Sequence, residues 1–208
     1  VTLIWCDDNY GYIRHFPTAE ERARKGGNGI YYHVSYWGRP HDYLWLGTFS
    51  PYLLHQQMKL AYDRGIQKMW VLNVGDIKPA EYQIELFLDM AWNIDEVNEI
   101  GVTAHLKSWL GREFGSNCAE ELLPAMEAHY QLSYIRKPEF MGNTREEERD
   151  PKYKVIKDLP WSEQTISERL RSYTVLSDVV ERMESNIPTD RQDAYFQLVK
   201  YPVQAAAQ

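Results

Sequence analysis

Strand-like and helix-like patterns alternate along the first hundred residues of the chain. Short apolar or β-branched runs predict three strands, at 1–6, 30–36 and 68–73. Amphipathic segments predict three helices, at 18–25, 50–65 and 80–93. The first strand, VTLIWC, is apolar almost throughout, which predicts that it is covered on both faces. The alternation is typical of parallel strands joined by right-handed helical crossovers, in either an open doubly wound sheet or part of an eight-stranded barrel.

The second half of the chain has a helical pattern throughout. Apolar positions at helical spacing predict further helices at 103–114, 116–136, 162–185 and 189–199. Thr189 and Gln192 have the spacing of a capping box at the start of the last one. The charged, proline-broken segment near 142–160 is predicted to be an exposed connection.

These patterns predict an α/β part followed by an all-α part. Residues 1–97 are expected to form the C-terminal part of a (β/α)8 TIM-type barrel, because no glycine-rich nucleotide-binding loop follows any strand. Residues 98–208 are expected to form a helical-bundle domain. Since the chain starts with Val1 inside a strand pattern, we expect it to be a fragment of a longer protein.

Composition narrows the classes of partner. The net charge of −7 and the lack of a basic cluster argue against binding to nucleic acid or to an anionic membrane surface. No apolar run approaches the roughly 20 residues of a membrane-spanning helix. The two cysteines, Cys6 and Cys118, lie far apart in the sequence and are predicted to be buried free thiols rather than a disulfide or a zinc site.

Each predicted strand ends in polar and aromatic side chains, where a barrel places its active site. The candidate residues are Asp7, Asp8, Tyr10 and Arg14 after the first strand, His33, Tyr36, Trp37, Arg39, His41 and Asp42 at and after the second, and Asn73 and Asp76 after the third. Paired carboxylates with aromatic platforms are what glycoside hydrolysis requires. A guanidinium, from Arg14 or Arg39, could bind an acidic sugar. Acids two strands apart, such as Asp7 or Asp8 with Asp76, suit the carboxyl separation of an inverting mechanism.

Three segments, WCDDNYGYIR, GGNGIYYHVSYWGRPHDYLWL and VLNVGDIKPAEYQIELFLDMAWN, together with the later AYFQLVKYPV, resemble the central region of glycoside hydrolase family 115. The resemblance implies an inverting α-glucuronidase that removes α-1,2-linked glucuronic acid, or its 4-O-methyl form, from glucuronoxylan. It implies a large multidomain enzyme that is secreted or periplasmic. We expect no cofactor, and a homodimer is one possible form of the full-length enzyme. The family's essential aspartate maps to Asp7 or Asp8, and the residues alone do not distinguish the two.

Two other interpretations compete with this one. In the first, the chain is part of a metal-dependent hydrolase barrel in which His33, His41 and Asp7 or Asp42 ligate a cation. We expect no metal, because no paired histidine motif lies on a strand and aromatic residues outnumber potential ligands. In the second, the helical half is a non-catalytic interaction or dimerisation module.

Overall fold

A computed structural model describes residues 1–38, 41–141 and 161–208. In this part of the chain, three strands form one parallel sheet in the order β1, β2, β3, and their bounds are Leu3–Cys6, Asn28–His33 and Ile66–Asn73. The predicted parallel pairing is confirmed. Trp5 lies opposite Ile30, and Ile30 lies opposite Trp70, so the side chains at equivalent positions share a face of the sheet.

The helices that follow the strands are α1, α2 and α3, with bounds Ala19–Arg22, Pro51–Asp63 and Glu81–Trp92. The predicted capping box of α1 is present, because the Thr18 hydroxyl accepts a hydrogen bond from the Glu21 amide and the Glu21 carboxylate accepts one from the Thr18 amide. Ser50 caps α2 through the Leu53 amide, with Pro51 at the first helical position.

In the described part of the chain, helices cover one face of the sheet and leave the other uncovered. Ile30 and Tyr32 of β2 are fully buried on that face, where the Tyr32 ring stacks on Phe87 of α3. On the opposite face Ile4 and Met69 are about half exposed, at 49% and 54%. This face, which we call the open face, is therefore an apolar surface that no described element covers.

The exposure of β1 corrects two predictions. The strand is an edge strand whose residues alternate between partly buried and exposed, so the expectation that it is covered on both faces is wrong. Cys6 is exposed because it lies on the open face, opposite Tyr31. The prediction of buried thiols holds only for Cys118, which is buried.

The helical half contains α4, α5 and α6, with bounds Ile94–Phe114, Ser116–Ile135 and Glu163–Met183. Helix α4 starts earlier than predicted and bends at Gly101, whose φ of 77° lies outside the helical region. The predicted connection near 142–160 lies outside the described residues. No helix in the described segments is long and apolar enough to span a bilayer.

The C-terminal region differs from the single predicted helix. It consists of a 3₁₀ turn, helix α7, a π-helical segment and helix α8, with bounds Thr189–Arg191, Gln192–Tyr195, Phe196–Lys200 and Tyr201–Ala207. The predicted capping box is wrong, because Thr189 lies within the 3₁₀ turn and no side-chain hydrogen bond caps that turn or α7.

The strand half and the helical half share one hydrophobic core. Buried apolar residues form a continuous cluster that runs from Ile13 near the sheet to Val203 in α8. The Tyr52 hydroxyl of α2 lies 3.0 Å from the Thr103 hydroxyl of α4, which adds a polar contact between the halves. The division at residues 97 and 98 stays a prediction.

Candidate active site

Asp7 immediately follows β1 and forms a buried pair with the last residue of β2. One carboxylate oxygen, Oδ1, lies 2.6 Å from Nδ1 of His33, and the other accepts a hydrogen bond of 2.8 Å from the Gly11 amide. Both residues are buried, and none of the Asp7 side chain is exposed. Because the carboxylate accepts the Nδ1 proton, it fixes the histidine ring with Nε2 as the available nitrogen. That nitrogen has no hydrogen-bond partner among the described residues, and 6% of the His33 side chain is exposed.

The bond to Asp7 depends on a tight turn at Gly11. Its φ of 91° lies in the region that favours glycine, and a Cβ added there would lie 2.4 Å from a ring carbon of Phe49. The carbonyl of Gly11 accepts a 2.8 Å hydrogen bond from the buried Tyr32 hydroxyl. The turn is thus held against the covered face of the sheet, with its amide directed at Asp7.

Asp8 makes its contacts within the loop that follows β1. Its Oδ1 accepts hydrogen bonds of 3.1 Å from the amides of Tyr10 and Tyr12, while its Oδ2 lies 2.7 and 2.9 Å from two nitrogens of the Arg14 guanidinium. A quarter of its side chain is exposed, against none of the Asp7 side chain. The structure therefore separates two neighbouring acids that the sequence could not distinguish: Asp7 is enclosed, and Asp8 faces solvent.

Aromatic rings surround the Asp7–His33 pair. The edge of Tyr36 packs on the His33 ring with centroids 5.6 Å apart, and Tyr10 packs edge-on against Tyr36 at 5.8 Å. The Tyr10 hydroxyl donates to the carbonyl of His41 and accepts from its amide, at 3.2 and 3.3 Å. Burial raises the pKa of Tyr10. The predicted residues Tyr10, His33, Tyr36 and His41 thus belong to one contact network.

The other predicted residues occupy more peripheral places. Asn73 pairs with His33 across β2 and β3, and its amide donates to the Tyr31 hydroxyl. Asp42 accepts a hydrogen bond of 2.6 Å from the Gly38 amide, and the side chain of Trp37 is largely exposed. Arg39 lies outside the described residues. Asp76 lies in an exposed turn after β3 and lines a groove with Trp45 and Tyr201.

Two residues of the helical half, Lys137 and Phe140, pack against the loops that follow β1 and β2. The sequence patterns predicted neither contact. The ammonium of Lys137 donates a 2.7 Å hydrogen bond to the Thr48 carbonyl and lies 4.8 Å from the centre of the Tyr43 ring. Desolvation lowers the pKa of Lys137 to about 8. Phe140 packs on both Tyr10 and His41, with ring centroids 5.9 and 4.5 Å apart. No local pattern signals these contacts, since they join positions about a hundred residues apart in the chain.

The predicted metal ligands do not form a cation site in the part of the chain that the structure describes. The group that could hold a cation there is instead Glu85, Asp89 and His105, on α3 and α4. Its Glu85 carboxylate already accepts two 2.6 Å hydrogen bonds from one nitrogen of Arg112.

Carboxylates, a histidine and aromatic rings at the carboxyl ends of parallel strands are typical of the catalytic part of a glycoside hydrolase. The family model described as "Glycosyl hydrolase family 115" matches residues 1–140. A solved structure entitled "A novel family GH115 4-O-Methyl-alpha-glucuronidase, BtGH115A, with specificity for decorated arabinogalactans" is 73% identical, with a TM-score of 0.94. The alignment covers 100% of this chain and 27% of that one. The comparison with curated proteins gave no match. The chain belongs to glycosyl hydrolase family 115.

Proposed function

We propose that this chain is part of an inverting α-glucuronidase that hydrolyses α-1,2-linked glucuronic acid, or its 4-O-methyl form, from glucuronoxylan. Membership of family 115 supports the proposal, and so does the set of side chains at the strand ends. Because BtGH115A is described as specific for decorated arabinogalactans, such a polysaccharide is the second candidate substrate. Either polymer is too large to enter a cell, which is consistent with a secreted or periplasmic location.

We also propose that residues 1–97 belong to a (β/α)8 barrel, with residues 98–208 as a helical domain beside it. In such a barrel, helices cover the outer face of the sheet and side chains fill its interior. The open face, with Ile4, Tyr31 and Met69 in solvent, fits the interior of a barrel whose other strands come from a longer chain. The chain spans 27% of the solved relative, which leaves ample sequence for those strands.

The observation that carries the assignment of roles is the burial of Asp7 beside an uncovered sheet face. The interior of the proposed barrel is open in this chain, yet none of the Asp7 side chain is exposed. We therefore infer that Asp7 does not contact the substrate. We assign Asp7 as the positioning residue that orients His33, and Asp8 as the catalytic carboxylate. Asp8, the next residue along the chain, keeps a quarter of its side chain exposed, and its carboxylate is held in place by Arg14.

Inversion requires a second carboxyl group, about 6.5 to 9.5 Å from the first, so that a water molecule fits between sugar and base. Asp76 is the candidate within this chain, because it follows the strand two positions from β1 at the same edge of the sheet. The remaining strands of the proposed barrel are the other source. His33, with Nε2 free, is placed to bind a sugar hydroxyl near the bond that breaks.

The test is release of glucuronic acid from glucuronoxylan and from decorated arabinogalactan by the full-length enzyme and its Asp7→Asn and Asp8→Asn variants. Asp8→Asn is expected to lower kcat at least about a hundredfold while thermal stability stays close to that of the wild type. Asp7→Asn is expected to lower both kcat and the melting temperature. If neither variant lowers the rate a hundredfold, the essential acid does not lie in this pair. An active Asp8→Asn variant would overturn the roles assigned here.

A further inference from the structure

A second groove lies at the same end of the sheet as the Asp7–His33 pair. It has a volume of about 270 Å³ and is lined by Trp45, Asp76, Lys78, Pro79, Gln197 and Tyr201. Asp76 follows β3 by three residues, and the last residue of that strand pairs with His33. Asp76 therefore places one side of the groove at the same edge of the sheet as the candidate active site.

The groove presents flat aromatic surface to solvent. The side chain of Trp45 is 61% exposed and that of Tyr201 is 38% exposed. The backbone around Trp45 is nevertheless fixed, because the next two carbonyls, of Leu46 and Gly47, contact the buried side chains of His129 and Gln83 at 3.3 Å. A large apolar side chain held out from a rigid loop is a feature of binding surfaces rather than of packing.

Polar groups without partners accompany these rings. Among the described residues, no hydrogen bond engages the Trp45 indole nitrogen, the Asp76 carboxylate, the Gln197 amide or the Tyr201 hydroxyl. Together they offer both donors and acceptors. Lys78, the one cation among the described lining residues, already pairs with Glu81 at 2.8 Å, so these residues offer no free positive charge to an acidic ligand.

Gln197 lies in the π-helical segment Phe196–Lys200, and Tyr201 follows directly after it. Such segments are rare and occur frequently at functional sites, since the extra residue re-aims neighbouring side chains. This one packs on the turn Lys78–Ala80 that follows β3. The irregular helix thus brings Gln197 and Tyr201 to the strand-end loops that carry Asp76 and Trp45.

We propose that this groove binds a neutral stretch of polysaccharide backbone next to the branch that the active site removes. Sugar rings combine apolar C–H faces, which stack on aromatic rings, with hydroxyls that hydrogen-bond to amides and carboxylates. An open groove suits a polymer that continues in both directions. The inference rests on the proposed function, since it deepens the substrate recognition of that same enzyme.

The test compares a polymer with a small substrate, using the full-length enzyme and its Trp45→Ala and Gln197→Ala variants. Both variants are expected to raise KM for the decorated polysaccharide five- to thirtyfold, with kcat unchanged. KM for 4-nitrophenyl α-glucuronide, which has no backbone, is expected to stay within twofold. Trp92→Ala is the matched control, because Trp92 is 92% exposed but lies at the end of α3, outside the groove.

Affinity electrophoresis in debranched xylan and in debranched arabinogalactan then identifies the backbone. The proposal is supported if one polymer retards the wild type and both groove variants are retarded less. That polymer is then the backbone that the groove binds. Unchanged KM values together with unchanged retardation would overturn the proposal. An equal rise in KM for the polymer and for the small substrate would also overturn it. So would a structure of the full-length enzyme in which another part of the chain covers the groove. If the wild type releases uronic acid and Asp8→Asn does not, the proposed function holds. Groove variants without any effect then refute only the groove proposal. If the wild type releases none, the proposed function fails, while retardation still tests the groove.

Discussion

The Asp7 carboxylate and the His33 imidazole meet at 2.6 Å across the carboxyl ends of two adjacent parallel strands. The pair is buried although the sheet face beside it is open. A carboxylate that fixes one imidazole nitrogen leaves the other oriented for chemistry, as in many hydrolase sites.

Loss of the imidazole is expected to destabilise the fold, because it leaves a buried carboxylate with only the Gly11 amide as a described partner. We expect His33→Leu to lower the free energy of unfolding by about 3 kcal/mol, because a buried carboxylate that loses a hydrogen-bond partner keeps its desolvation cost. Urea unfolding at submicromolar concentration, followed by tryptophan fluorescence, measures the change. His15→Leu is the control, since His15 is exposed. Equal stability of the two variants would contradict a structural role for the pair.

Arg14 is expected to hold Asp8 in place through its two guanidinium nitrogens. A lysine keeps the charge but replaces the two-nitrogen contact with a single ammonium. Arg14→Lys is therefore expected to lower kcat of the full-length enzyme about tenfold, equivalent to about 1.4 kcal/mol in the barrier. Arg24→Lys, an exposed position in the turn after α1, serves as the control. A change in KM alone would show instead that Arg14 binds the substrate.

Acid is expected to destabilise the chain through His129. Burial lowers the pKa of this fully buried histidine from 6.5 to about 4. Between these values the unfolded state binds the proton and the folded state does not, so stability present above pH 6.5 is lost as the pH falls to 4. The contribution is about 3 kcal/mol.

The pH dependence can be isolated with a side chain of similar size that does not titrate. His129→Phe is expected to be less stable at pH 7, because the Leu46 carbonyl loses its 3.3 Å contact, but to lose about 3 kcal/mol less than the wild type between pH 7 and 4. Parallel urea titrations at both pH values provide the comparison. His15→Phe should keep the wild-type slope, and an unchanged slope for His129→Phe would refute the assignment.

The open face is expected to make the isolated 208-residue chain associate with itself and bind a hydrophobic dye. Ile4 and Met69 expose their side chains on β1 and β3, whose outer edges pair with no other strand among the described residues. Replacing both with glutamate is expected to reduce association in sedimentation velocity runs at tens of micromolar. Leu88→Glu, equally exposed but on α3, is expected not to. A stable, monodisperse wild-type monomer without dye binding would contradict the barrel proposal. We also expect the isolated chain to be inactive.

The sequence determined the local elements of this protein. The cap of α1 at Thr18 and the start of α2 at Ser50 follow from patterns within a few residues, because capping acts over one turn. The parallel pairing follows from the order of strands and helices along the first hundred residues. The position of candidate residues at strand ends follows from the same patterns. Family membership, too, was visible in uninterrupted motifs, and the family match confirms it.

Only the tertiary structure decided which acid is enclosed and which faces solvent. Asp7 and Asp8 are identical in chemistry and adjacent in sequence, and they differ because His33 and Gly11 approach one while Arg14 and two loop amides approach the other. Contacts between distant segments likewise decide three other features. They are the exposure of β1, the contact of Lys137 with the loop at Thr48, and the groove between Trp45 and Tyr201. Burial is a property of what packs around a residue, so no local pattern can specify it.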